Sequence, residues 1–122
     1  MRAVLGHLGL VPLAKPLTTD EGRKILERDH YRCQYCGLDG IADFANSLVM
    51  SVDFVQPRAQ KGKKDAKNLV CACRACNVIK GKRVFKNFEE AKTYVNQRRS
   101  ELQKKWEADK ARIFGRSTSA SA

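Results

Sequence analysis

The sequence predicts a small α+β domain that a metal ion holds together, with one helix before it and a long helix after it. Two Cys-x2-Cys pairs, Cys33/Cys36 and Cys73/Cys76, lie on either side of the centre of the chain. Between them, residues 50–55 alternate in a period-2 pattern rich in β-formers, which is typical of a strand. Cysteine pairs that flank a strand favour a metal-bound domain in which the chain returns to its own first pair.

Four thiolates at this spacing can converge on one ion and complete a tetrahedral zinc site. Such a site is structural, because no coordination position stays open for water. The alternative is two disulfides or free thiols, and that alternative stays open at this point. Cys71 is the fifth cysteine, two residues before Cys73. We interpret it as a small buried apolar residue.

Length and charge restrict the function further. A chain of 122 residues is one domain, and its net charge of +11 points to a polyanionic partner, most simply nucleic acid. An acidic protein or an anionic lipid surface would satisfy the same charge. No apolar run is long enough to span a membrane. Zinc-binding cysteines predict an intracellular, reducing compartment such as the cytoplasm or an organelle interior.

A capping box, Thr18-Thr-Asp-Glu21, separates the N-terminal residues from the body of the domain. It predicts a helix through about Asp29. Residues 1–17 are interpreted as an arm that packs on the body or on a partner. A signal or organelle-targeting remnant is the alternative, but its apolar region is poor. His7 in this arm is interpreted as a surface or packing residue. Residues 38–48 form a connector, loop or short helix, with Phe44 as its one large anchor.

The remaining elements follow in order. Leu69 and Val70 predict a second short strand, and a helix is predicted from Cys73 to Gly81. These elements complete a domain over residues 18–86. Residues 87–114 predict a long, basic amphipathic helix, whose apolar stripe should pack on the domain in its first half only. Gly115 should end it, and residues 115–122 are predicted to be a disordered tail.

Several segments together resemble the HNH endonuclease family. The family pattern is a zinc knuckle, then VDH-x2-P, then NL-x3-C-x2-CN-x2-K. The matching segments here are Cys33–Gly37, Val52–Pro57, Asn68–Leu69 and Cys73–Lys80. The resemblance implies a treble-clef-like ββα-metal fold. It departs from the pattern at one position, since Phe54 stands where the family has its general-base His.

The resemblance also implies roles for individual residues. Asp53 and Asn77 would hold one Mg or Mn ion, and Asn68 would orient the loop that carries the base. Asp53 could alternatively be an ordinary exposed strand residue. Because phenylalanine cannot accept a proton, we expect phosphodiester hydrolysis to be impaired or lost. Asp65 in the loop is a poor substitute base.

Basic residues surround the predicted ββα-metal fold. They are interpreted as contacts to the phosphate backbone of nucleic acid, which the resemblance implies to be DNA, and the alternative is a solvated face that only aids solubility. The set comprises Arg58, Lys61, Lys63, Lys64, Lys67, Arg74, Lys80, Lys82 and Arg83. Three functions remain: a nucleic-acid-binding HNH-like protein with impaired cleavage, a non-enzymatic zinc subunit of a larger nucleoprotein or protein complex, and an active nicking endonuclease with a different base.

Overall fold

The computed structural model describes residues 15–121, with the surroundings of side chains given through residue 115. Most of the predicted arm, including His7, lies outside this range. Among the described residues, no helix has the length and apolar character needed to cross a bilayer. The division of the chain into an arm, a domain, a helix and a tail stays a prediction.

The elements follow the predicted α+β order, so the predicted fold class is confirmed. Residues 15–121 contain four helices: α1 (Thr19–Arg28), α2 (Phe44–Leu48), α3 (Arg74–Lys80) and α4 (Phe88–Ser121). The strands β1 (Met50–Phe54) and β2 (Leu69–Cys73) pair antiparallel, with Met50 opposite Cys73 and Phe54 opposite Leu69. Short 3-10 turns at Arg58–Gln60 and Ala66–Asn68 shape the loop between the strands.

Helix α1 begins at the predicted capping box. The Thr18 hydroxyl accepts the Glu21 N–H at 3.1 Å, and the Glu21 carboxylate accepts the Thr18 N–H at 2.8 Å. Both bonds satisfy backbone donors that a helix start otherwise leaves without partners. At the other end, Asp29 accepts the Cys71 N–H at 2.8 Å, which fixes α1 against β2.

Both α1 and α3 contact the hairpin, and α4 packs against α3. Alternation in β1 places Asp53 and Val55 in the interior, whereas Val52 and Phe54 are only partly buried. The core joins the cysteine pairs to the first three turns of α4. Its buried members are Cys33, Tyr35, Val55, Ala72, Cys73, Cys76, Ala91 and Val95.

Two details of the helices differ from the prediction. Phe44 in α2 is 76% exposed, so its expected role as an anchor of the connector is wrong. Helix α4 continues past Gly115, the predicted end, to Ser121. One glycine costs a helix only about 1 kcal/mol relative to alanine, which does not force a stop when helix formers precede it.

Candidate metal centre and nuclease face

The two cysteine pairs converge on one point between the knuckle turn and the junction of β2 with α3. The Sγ atoms of Cys33, Cys36, Cys73 and Cys76 all lie within 4.8 Å of one another. The Cys36 and Cys73 sulfurs are 3.8 Å apart. Tetrahedral zinc with bonds of about 2.3 Å places its sulfurs roughly 3.8 Å apart, so the donor set fits this ion. All five cysteines are free thiols in this structure, so none of them is joined in a disulfide.

The backbone turn at Cys33 and Cys36 positions the first cysteine pair. The Gly37 N–H donates to the Cys33 carbonyl at 2.9 Å, and the Cys36 N–H points at the Cys33 sulfur at 3.5 Å. Gly37 adopts a φ of 82°, which side chains rarely permit. The second pair is arranged differently, because Cys73 ends β2 and Cys76 lies in the first turn of α3.

The thiols influence one another strongly because they are crowded and largely buried. The Cys76 thiol donates to Cys33, which lowers the pKa of Cys33 and raises the pKa of Cys76. Burial raises the pKa of Cys36, and the neighbouring sulfur charges add to this effect. Four thiolates in this volume repel one another unless a cation compensates their charge, which is the electrostatic condition that zinc fulfils.

Cys71 stays outside this cluster. It is completely buried beside the Met50 sulfur at 3.8 Å, and burial raises its pKa to about 12. A buried thiol with a raised pKa is chemically inert.

A second buried polar group lies beside the metal centre. Asp53 is 4% exposed, and its Oδ2 accepts a hydrogen bond of 2.6 Å from the Tyr35 hydroxyl. Its Oδ1 lies 3.4 Å from Nζ of Lys80, which also donates to the Phe54 carbonyl at 3.0 Å. Burial raises the pKa of Asp53, while the Tyr35 bond and the Lys80 charge work in the opposite direction.

The loop between the strands is held by Asn68. Its side-chain amide donates to the carbonyls of Gln56 and Lys63 at 3.0 and 2.8 Å, and its Oδ1 accepts the Gln56 N–H at 2.7 Å. Asp65 caps the second 3-10 turn by accepting the N–H groups of Lys67 and Asn68. These bonds fix the loop that directly follows Phe54.

The comparison with protein families gives one match to this arrangement. The family model named HNH endonuclease matches residues 33–83. This segment is an HNH-family domain. It begins at the first cysteine of the cluster and ends just beyond α3, so it contains both cysteine pairs and the hairpin. No curated protein and no solved structure matches the chain. An HNH domain implies a nuclease-like function that involves nucleic acid.

The HNH positions predicted to hold Mg or Mn are arranged differently from the thiol cluster. Asn77 is partly exposed and lines an open pocket of about 430 Å³ with Ser51 and Arg74. Both oxygens of Asp53 instead face the donors of Tyr35 and Lys80. A divalent ion at Asp53 would have to displace a buried ammonium, so these residues do not fit a second cation as they stand.

One member of the predicted phosphate-contacting set is misassigned. Lys80 is 1% exposed, and its ammonium group faces Asp53 and the Phe54 carbonyl. It is therefore a core residue that no phosphate can reach. Lys64 is partly buried and pairs with Glu21 at 3.0 Å. Exposed residues of the set are Lys61, Lys63, Lys67, Arg74, Lys82 and Arg83.

Sequence reasoning missed two residues that contact this centre. Tyr35 lies between two candidate ligands, Cys33 and Cys36, and nothing in the sequence marks it as the partner of Asp53. Arg99 donates to the Cys76 sulfur at 3.7 Å. Its position carries a signal, since it lies four residues after Val95 and three before Leu102 and so falls on the apolar stripe of α4.

Proposed function

We propose that this protein binds nucleic acid through an HNH-type domain that does not hydrolyse phosphodiesters efficiently. The observation that carries the proposal is Phe54, whose side chain cannot accept a proton at the position of the family's general base. A positioned base is worth 10² to 10⁴-fold in rate. The engagement of Asp53 with Lys80 and Tyr35 supports the same conclusion.

Zinc in the four-cysteine site is the structural cofactor of the proposed protein. Thiolate ligands favour zinc over Mg or Mn, which prefer oxygen. The bound ion would supply stability and no step of the chemistry, since four protein sulfurs complete its coordination.

Binding to nucleic acid is supported by a basic pocket of about 500 Å³ beside the inter-strand loop. Its lining includes Lys61, Lys63, Lys67 and Lys86. Asp65 is its acidic lining residue, and the carboxylate is occupied with capping the 3-10 turn. Four lysines around one concave surface form a site for the phosphate backbone, and nothing here predicts recognition of bases.

Plasmid nicking tests the catalytic half of the proposal. The native protein and Phe54→His would be compared on supercoiled plasmid with Mg or Mn, with the zinc site loaded. We expect the native chain to be inactive and Phe54→His, which restores the base but leaves Asp53 paired with Lys80, to gain no more than about 10²-fold. Asn77→Ala in the His background is a better metal-site control than Asp53→Ala, because loss of Asp53 would leave Lys80 buried without its partner. Efficient nicking by the native chain would refute the proposal and indicate an active nuclease with a different base.

Fluorescence anisotropy with a short DNA duplex tests the binding half. Replacing Lys61 and Lys63 by Gln should weaken binding and reduce the slope of log K against log salt by about 0.9 per lost phosphate contact. The double variant Lys24→Gln/Lys92→Gln removes the same charge from exposed positions on α1 and α4. If both double variants lost the same affinity for DNA, general charge and not the basic pocket would drive binding.

A structural role in a larger complex is the second candidate. Large apolar side chains stand exposed on α2, α3 and α4, among them Leu48 (67%), Val78 (70%) and Trp106 (58%). Exposed apolar residues at this density favour a protein partner. Stable co-purification of a tagged native protein with a nucleoprotein complex, retained at a salt concentration that abolishes DNA binding, would favour this candidate over the first.

A further inference from the structure

Arg99 brings the long helix to the edge of the metal centre. Its guanidinium Nη1 donates to the Sγ of Cys76 at 3.7 Å. Arg99 is partly buried and lines the same cavity of about 830 Å³ as Cys36 and Cys73. A charged donor directed at a ligand sulfur is therefore built into a helix that lies outside residues 33–83.

The neighbouring turns of α4 hold Arg99 in this position. Ala91 and Val95 are completely buried in the core that contains Cys33 and Cys76. Asn96 donates to the Tyr35 carbonyl at 2.8 Å, so α4 also contacts the turn between the first two ligands. Because these contacts fix the two turns of α4 that precede Arg99, its guanidinium is presented to the sulfur by a packed element.

We propose that Arg99 supports the zinc site through its hydrogen bond and charge, and thereby couples metal retention to the docking of α4. The inference depends on the structural zinc proposed above. Zn²⁺ with four thiolates carries a net charge of −2, and a guanidinium at hydrogen-bond distance from one sulfur compensates half of it. Partners of metal ligands typically contribute 10 to 100-fold to metal affinity.

The coupling acts in both directions. Loss of the ion releases the four sulfurs from their shared arrangement, which removes the fixed partner of the Arg99 guanidinium and weakens the docking of α4. Loss of the Arg99 charge leaves the tetrathiolate site less compensated and speeds the release of zinc. Arg99 is thus a positioning residue for the metal site and not a catalytic one.

Zinc transfer from the loaded full chain to a chromogenic chelator tests the proposal. Arg99→Gln should lose zinc 10 to 100-fold faster than the native protein, and Arg99→Lys should fall between the two because it keeps the charge. Arg98→Gln is the matched control, since Arg98 is exposed and pairs with Glu101 on the same helix. It should release zinc at the native rate.

Two further readouts separate the proposed role from a general loss of stability. In cobalt-substituted protein, Arg99→Gln should shift the sulfur-to-metal charge-transfer band, whereas Arg98→Gln should leave it unchanged. Hydrogen exchange in residues 91–99 should rise when the metal is removed from the native protein. Zinc release by Arg99→Gln within twofold of the native rate would overturn the inference while leaving structural zinc intact. A native chain that takes up no zinc would overturn both.

Discussion

Breaking the buried contact between Lys80 and Asp53 should cost more stability than any surface change in this chain. The side chains are 1% and 5% exposed, and each is held by a second partner, the Phe54 carbonyl and the Tyr35 hydroxyl. Lys80→Met would leave a buried carboxylate with one donor. Removing one member of such a pair costs about 3–5 kcal/mol, a large part of the roughly 5–15 kcal/mol that stabilises an ordinary domain.

The double variant Lys80→Met/Asp53→Asn distinguishes the pair from ordinary packing. With both charges gone, the penalty for an unpaired buried charge disappears. The double variant should therefore lose less free energy of unfolding than the two single variants lose together, by at least about 2 kcal/mol. Urea unfolding followed by circular dichroism at fixed free zinc measures each loss. Lys82→Met, at an exposed position next to Gly81, should stay within about 0.5 kcal/mol of the native protein. A loss below about 1 kcal/mol for Lys80→Met, or additive single losses, would refute the reasoning.

Three other predictions concern α1, the loop and the fifth cysteine. The bonds of Glu21 with the Thr18 N–H and Lys64 lower its pKa to about 2 from an ordinary 4.5. Its stabilising contribution is therefore complete above pH 4.5 and is lost as the pH falls towards 2. The difference in urea midpoint between the native protein and Glu21→Gln should accordingly be smaller at pH 3.5 than at pH 6. Gly62→Ala should destabilise by at least about 1–3 kcal/mol, because a Cβ there would clash with the Gln56 carbonyl oxygen. Gly115→Ala, with open space around its Cβ in a helix, should be neutral or stabilising by up to about 1 kcal/mol, and thermal melts compare the two. Cys71 should resist iodoacetamide at pH 8 in the folded, zinc-loaded protein and react after denaturation, and labelling of native Cys71 in a peptide map would contradict its burial.

Features with a local cause could be predicted from the sequence. The capping box defined the start of α1, and alternation located β1. The two cysteine pairs predicted one cluster because a shared ion requires them to meet. The HNH resemblance agrees with the family match over residues 33–83.

The surroundings of Asp53 could not be predicted in this way. Alternation correctly separated Asp53 from Val52 and Phe54, but a period of two does not tell which face is buried when both carry apolar residues. The partners of Asp53 lie 18 positions earlier and 27 later, on a turn and a helix whose orientation depends on the metal centre. Lys80 was assigned to phosphate because basic residues surround it in sequence, although its side chain turns inward.

With the proposed zinc ion bound, the spacing of the cysteines would make stability a function of metal supply. Cys36 and Cys73 are separated by 37 residues, and that interval contains α2, β1 and nearly all of β2. An ion held at both ends closes this loop, and its release opens the whole hairpin region. Folding and metal binding are then one equilibrium under mass action, in which each tenfold fall in free zinc lowers the free energy of unfolding by about 1.4 kcal/mol. The population of folded chains would consequently report the free zinc concentration of the compartment in which they reside.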